Sequence, residues 1–133
     1  MSGLPLLRVR LAWQTDRLEE CARFYGETLG LVELARFEGH AGYDGVVFGL
    51  PGSQAQLELT THRLGSPASP SADDDLLVLY LADREAATEA LARCLAAGAE
   101  QVEPDNPWWD GRAVVVRDPD GRCVVLDWGL AED

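Results

Sequence analysis

The chain has no apolar run of the roughly 18 residues that mark a candidate membrane helix, so no membrane span is expected. Its start, Met1-Ser2-Gly3-Leu4-Pro5, lacks the basic segment followed by an apolar stretch that marks a secretory leader, and the expected address is cytoplasmic. Cysteine is scarce. Cys21, Cys94 and Cys123 are odd in number, widely spaced and in no zinc pattern, which argues against a disulfide framework. Cys21 and Cys94 fall on apolar faces of predicted helices and read as structural thiols. Basic charge is short as well: 11 basic residues against 23 acidic ones leave a net charge of −12. Nucleic-acid binders carry basic patches and anionic membranes attract them, so neither partner is expected. The acidity favours solubility and would steer a cationic ligand in more readily than an anionic one. Histidine occurs only at His40 and His62, and no nucleophile elbow, P-loop or dinucleotide glycine fingerprint is present.

What is present is a repeat. Ala113 to Trp128 reads as two valine-rich strands joined by the turn Asp118-Pro119-Asp120-Gly121, a strong hairpin signal. Earlier, Leu6–Trp13 alternates as a strand, with Val9, Leu11 and Trp13 on one face and Arg8, Arg10 and Ala12 on the other. Thr15 or Asp16 can cap a helix from Arg17 to Thr28, whose stripe is Leu18, Cys21, Ala22, Tyr25 and Leu29, and Gly30 ends it. Strands follow at Leu31–Phe37, Tyr43–Leu50 and Ala55–Thr61, with a loop at Glu38–Gly42. Leu64 to Asp75, rich in Ser, Pro and Asp, reads as a linker. The order then restarts: a strand at Leu76–Leu81, a helix at Arg84–Ala97 capped by Asp83 with Ala87, Leu91, Cys94 and Leu95 inward, a short strand at Ala99–Val102, a loop to Trp109, and the hairpin. Tyr43-Asp44-Gly45 matches Trp109-Asp110-Gly111 at an offset of 66, and Leu50-Pro51-Gly52 matches the final turn at 68. The expectation is one α+β domain of two βαβββ modules, residues 6–63 and 76–129, whose free sheet faces curve around a cleft.

The segments F-Y-G-E-T-L-G-L (Phe24 to Leu31), L-E-L-T (Leu57 to Thr60) and D-P-D-G-R-C-V-V-L (Asp118 to Leu126) resemble the glyoxalase / bleomycin-resistance / extradiol-dioxygenase superfamily, the vicinal oxygen chelate fold. G-Y-D-G-V-V-F-G-L-P-G and N-P-W-W-D-G-R are similar, more narrowly, to a single-domain YycE-like subgroup. The resemblance implies either a metal enzyme or a protein that sequesters a small molecule. Metal-dependent members use four side chains, His, Gln or Glu, from the first and last strands of each module. Those positions fall here at Val9 or Arg10, Glu58, Leu76 and Val125. Glu58 alone is a usual ligand, and Asp127 could rescue one position. Two carboxylates without an imidazole make a poor transition-metal site. No cofactor is therefore expected, the alternative being a divalent metal through Glu58.

If Glu58 faces the cleft, so do Gln56 and Thr60, and an Arg10–Glu58 pair could replace the lost ion. Trp108 and Trp109, beside Asn106 and Asp110, are too large for both to be exposed without cost. One reads as core, and the other, with Trp13 and Tyr43, as a wall for a flat or cationic ligand. The expected function is metal-free binding of a small, partly aromatic molecule through Arg10, Trp13, Tyr43, Glu58, Asn106, Trp108, Trp109 and Asp127. The rival is an enzyme using a metal, or acid–base chemistry through Glu58 with His40 or His62. Two small half-sheets bury little apolar surface alone, so a two-fold homodimer is expected, with a compact monomer as the competing outcome.

Overall fold

The computed structural model describes residues 3–70 and 72–132. The chain divides between Ser69 and Pro70 into two compact units. Each has a four-stranded mixed sheet backed by a helix, so the βαβββ repeat is present twice. No helix among the described residues is long and apolar enough to cross a membrane.

In the first unit β1 is Val9–Gln14, β2 Val32–His40, β3 Tyr43–Gly49 and β4 Ala55–His62, in the order β1-β4-β3-β2. The first strand starts later than the alternation from Leu6 suggests, and Leu6 and Leu7 are exposed ahead of it. Helix α1, Leu18–Arg23, continues as a π-helical turn over Phe24–Thr28. The wider turn brings Phe24 into the core beside Tyr25, their rings edge-on with centroids 5.0 Å apart. Asp16 does not cap this helix. Thr15 Oγ1 accepts from the Arg17 amide at 2.8 Å, whereas Asp16 accepts from the Ser66 amide. Ser66 is itself buried, its hydroxyl takes the His62 amide, and Gln14 donates to the Pro67 carbonyl at 2.7 Å. The first part of the expected linker is thus bound to the first unit.

The expected loop Glu38–Gly42 is mostly strand. His40 pairs with Tyr43, so β2 and β3 are joined by Ala41 and Gly42 alone. Both have positive φ, 52° and 86°, the requirement of a tight hairpin turn whose twist matches its strands. A register shift between Phe37 and His40 marks a bulge.

In the second unit β5 is Leu76–Tyr80, β6 Gln101–Val102, β7 Ala113–Arg117 and β8 Cys123–Asp127, in the order β5-β8-β7-β6. Asp83 caps α2, Arg84–Ala96, accepting from the Ala86 amide at 2.8 Å. The buried stripe is Ala87, Ala90 and Cys94. Leu95, expected inside, is exposed, because α2 meets its sheet through small residues. Asp118 explains the turn motif. Its Oδ1 accepts from the amides of Asp120 and Arg122, and Oδ2 lies 3.1 Å from the Arg122 guanidinium, with Asp118 and Arg122 both buried. A short helix α3, Gly129–Glu132, follows β8 and carries no signal in the repeat. Ala113 pairs with Asp127 as Gly45 pairs with Thr60, which sets β7 68 residues after β3 and β8 67 residues after β4. The 66-residue match of Tyr43-Asp44-Gly45 to Trp109-Asp110-Gly111 is therefore a slip of two: Tyr43 is in a strand, Trp109 in a 3-10 turn.

Candidate functional site

Strand alternation sorts the first unit's side chains. Leu57 and Leu59 point toward α1 and are fully buried, which sends Gln56, Glu58 and Thr60 to the opposite face. The parallel register Arg10↔Gln56 and Ala12↔Glu58 puts Arg10 on that open face too. There Arg10 donates from Nε and Nη2 to Gln56 Oε1 at 3.0 and 2.8 Å, and its Nη1 lies 3.7 Å from Glu58 Oε2. The Arg10 side chain is 39% exposed and that of Glu58 17%, so the pair contributes about 0–1 kcal/mol of stability and is chiefly a way of presenting charge.

The end of this face nearest the β2–β3 turn is aromatic. His40, Tyr43 and His62 are register partners across β2, β3 and β4. The Tyr43 and His62 rings meet edge-on at 4.6 Å, and Phe37 meets His40 at 6.3 Å. Phe37 lies over Gly45, where an added Cβ would come within 2.3 Å of its ring. His62 Nδ1 accepts the Leu64 amide at 3.1 Å, which places the proton of the neutral imidazole on Nε2. His62 follows Glu58 by four strand positions, about 13 Å along β4, and His40 is level with His62. The structure therefore does not bring either histidine to the Glu58 carboxylate. Trp13 lies on the other face of the sheet, tilted against Tyr25 at 6.4 Å, and forms no wall with Tyr43.

In the second unit the tryptophans divide. Trp109, 8% exposed, packs with Val115, Cys123 and Val125 in a cluster that also takes Leu76 and Val78. Trp108 is 61% exposed. Asn106 is spent locally, its Oδ1 accepting the Trp108 amide at 3.0 Å. Asp127 is wholly buried, with Oδ1 taking the Gly129 and Leu130 amides at 2.7 and 3.3 Å and Oδ2 lying 3.2 Å from Arg112 Nε. Its carboxylate is engaged on both oxygens and offers nothing to an ion. Burial raises the thiols of Cys94 and Cys123 above the ordinary range, a nearby arginine opposing the shift in each case.

A divalent ion fits these residues poorly. Of the four positions, Arg10 is cationic, Leu76 and Val125 are apolar, and Glu58 faces a guanidinium. No three His, Cys, Asp or Glu residues cluster for a metal among the described residues. Sequence reasoning overlooked Phe37, whose signal was the strand glycine opposite it: an isolated Gly within a β pattern marks close approach.

Two four-stranded sheets of the same strand order, each backed by a helix, define a protein of the vicinal oxygen chelate superfamily. Residues 9–60 match the YycE-like N-terminal domain and residues 74–127 the YycE-like C-terminal domain. The chain belongs to the YycE-like family. It is 37% identical over 125 residues to the uncharacterized protein YycE of Bacillus subtilis (strain 168), covering 94% of this chain and 90% of that protein. A crystal structure of a Bacillus subtilis YycE protein of unknown function is similar with a TM-score of 0.86 and 38% identity, over 90% of this chain and 88% of the other. TnmS3, an antibiotic binding protein from Streptomyces sp. CB03234, is similar with a TM-score of 0.66 and 25% identity, over 95% and 98%. The trypanothione-dependent glyoxalase I of Leishmania major, at 21% identity, a TM-score of 0.71 and 96% and 89% coverage, shares the fold.

Proposed function

We propose that this chain binds a small, partly aromatic molecule without a metal ion, sequestering it rather than transforming it. The observation that carries the reading is the Arg10 guanidinium set on Gln56 and Glu58. A metal enzyme of this class needs convergent neutral or anionic donors there, and a fixed cation opposes a divalent ion. The same group suits recognition. Arg10 and Glu58 present both charges on a sheet whose end, around Phe37, Tyr43 and His62, offers ring faces and edges. TnmS3, similar in fold, is an antibiotic binding protein, which supports small-molecule binding as the general type of activity. The acid–base rival is disfavoured by the separation of about 13 Å along the strand between Glu58 and the histidines, beyond direct proton transfer. We further propose that the protein works in the cytoplasm as a homodimer, with the exposed apolar residues Val9 and Leu11 of edge strand β1 in the interface.

The test is elemental analysis of protein purified without chelator, with thermal shift against Zn²⁺, Ni²⁺, Mn²⁺ and Fe²⁺ and against a panel of planar aromatic compounds. Sub-stoichiometric metal, no shift with ions and a shift with one or more aromatics are expected. Stoichiometric metal, or stabilisation by several degrees with an ion, refutes the metal-free reading. A binding compound should lose affinity in Glu58→Gln with the fold retained. Light scattering at micromolar concentration tests assembly: a mass near twice 14.5 kDa is expected, and 14.5 kDa at all concentrations excludes the dimer.

A further inference from the structure

The second unit holds an exposed indole fixed from behind. Trp108 sits in the 3-10 turn Pro107–Trp109, its amide held by Asn106. The Arg112 guanidinium lies 4.5 Å from its ring centroid, covering one face. Arg112 is in turn ion-paired with the buried Asp127 at 3.2 Å. It also rests against Gly129, where an added Cβ would come within 2.5 Å of Nε, so a larger residue there would displace the guanidinium. A carboxylate, a glycine and a capping asparagine thus hold one large aromatic ring in the open, where a flexible surface tryptophan would fold down onto apolar neighbours.

We propose that Trp108 is a stacking platform selective for neutral, electron-rich planar rings, such as hydroxylated aromatics, over cations. This rests on the small-molecule reading above and names the ligand class. A cation on one face draws π density toward itself and leaves the outer face less negative. A second cation on that outer face meets a weakened ring and the like charge of Arg112 behind it, only partly offset by Asp127. An electron-rich ring stacked in offset geometry gains from the same polarisation. The overall acidity of −12 attracts cations to the protein in general, so the local platform and the global field select opposite ligands.

The probes are 2,3-dihydroxynaphthalene and its near-isostere N-methylquinolinium, titrated into the full chain while the indole N–H resonance of Trp108, assigned with Trp108→Ala, is followed by NMR. The neutral probe should shift that resonance and bind on the order of tenfold tighter than the cation. Trp108→Ala, an exposed truncation expected to keep the fold, should abolish the difference. Arg112→Gln should narrow it if the variant folds, and the charge comparison on the native protein stands without it. Equal or tighter binding of the cation overturns the proposal. So does saturation by either probe with the Trp108 resonance unmoved, or a Trp108→Ala protein whose oligomeric mass changes, which would make the indole an interface residue. A compound whose affinity depends on Glu58 but not on Trp108 would sink the platform and leave small-molecule binding standing. A lack of binding by any aromatic would sink both.

Discussion

Gly45→Ala should destabilise the protein, although replacing a strand glycine by alanine ordinarily stabilises by about 0.4–1 kcal/mol through the unfolded chain. Gly45 does not have positive φ, so the backbone raises no objection. The objection is Phe37. A Cβ on Gly45 would stand 2.3, 2.5 and 3.1 Å from Cζ, Cε1 and Cε2 of that ring, far inside van der Waals contact. If the ring stays, overpacking costs about 1–3 kcal/mol. If it swings off the sheet, the half-buried phenyl gives up about half of a full aromatic burial, about 1–1.5 kcal/mol. Subtracting the backbone gain leaves a net loss of up to about 1 kcal/mol if the ring swings away and up to about 2.5 kcal/mol if it stays. In a chain of this size each kcal/mol lost lowers Tm by roughly 3–5 °C, read by calorimetry or circular dichroism. The decisive measurement is the double-mutant cycle with Phe37→Ala. With the ring gone, Gly45→Ala should become neutral or stabilising by about 0.5 kcal/mol. If Gly45→Ala stabilises in the presence of Phe37, or destabilises equally without it, the ring does not lie where this reasoning puts it.

Ala41, at φ 52° in the two-residue turn, should be stabilised by about 0.5–1 kcal/mol on replacement by Asn or Gly, measured by urea denaturation; a loss would mean another turn geometry. Asp83→Ala should lower stability by about 0.5–2 kcal/mol in the same assay, through loss of the bond to the Ala86 amide. The thiols of Cys94 and Cys123, held above the ordinary range by burial, should resist alkylation at pH 8 in native protein and react fully in denaturant. The linkage sign follows: unfolded thiols ionise first as pH rises, so the folded state keeps more protons and stability falls above about pH 8.5. A native reaction rate equal to that of the unfolded chain would contradict the burial.

Much of this fold is legible in sequence because local rules and tertiary packing agree. The Asp118–Gly121 turn and the Asp83 cap are written in neighbouring residues, whereas Arg10 comes beside Glu58 only through the strand arrangement that the family resemblance implies. What escaped depends on partners distant along the chain. His40 lies among glycines that suggest a loop, yet its strand is held by pairing with Tyr43. Asp16 looks like a helix cap, but Ser66, fifty residues on, takes it. Asp127 has the spacing of a cleft residue, and only Arg112 and the amides of α3 show it to be structural. The 66-residue echo of Tyr43-Asp44-Gly45 misled because similar words recur two positions out of register.

The capture of Ser66 and Pro67 by the first unit shortens the leash between the halves. Twelve residues of free linker would reach roughly 40 Å. From Pro67 to the start of β5 at Leu76 there are nine steps, no more than about 30 Å fully stretched. A short leash keeps its two ends at a high mutual concentration, of millimolar order, and that concentration falls as the leash lengthens. Loosening the Asp16–Ser66 clasp would return length to the leash and lower that concentration without altering a residue of either sheet.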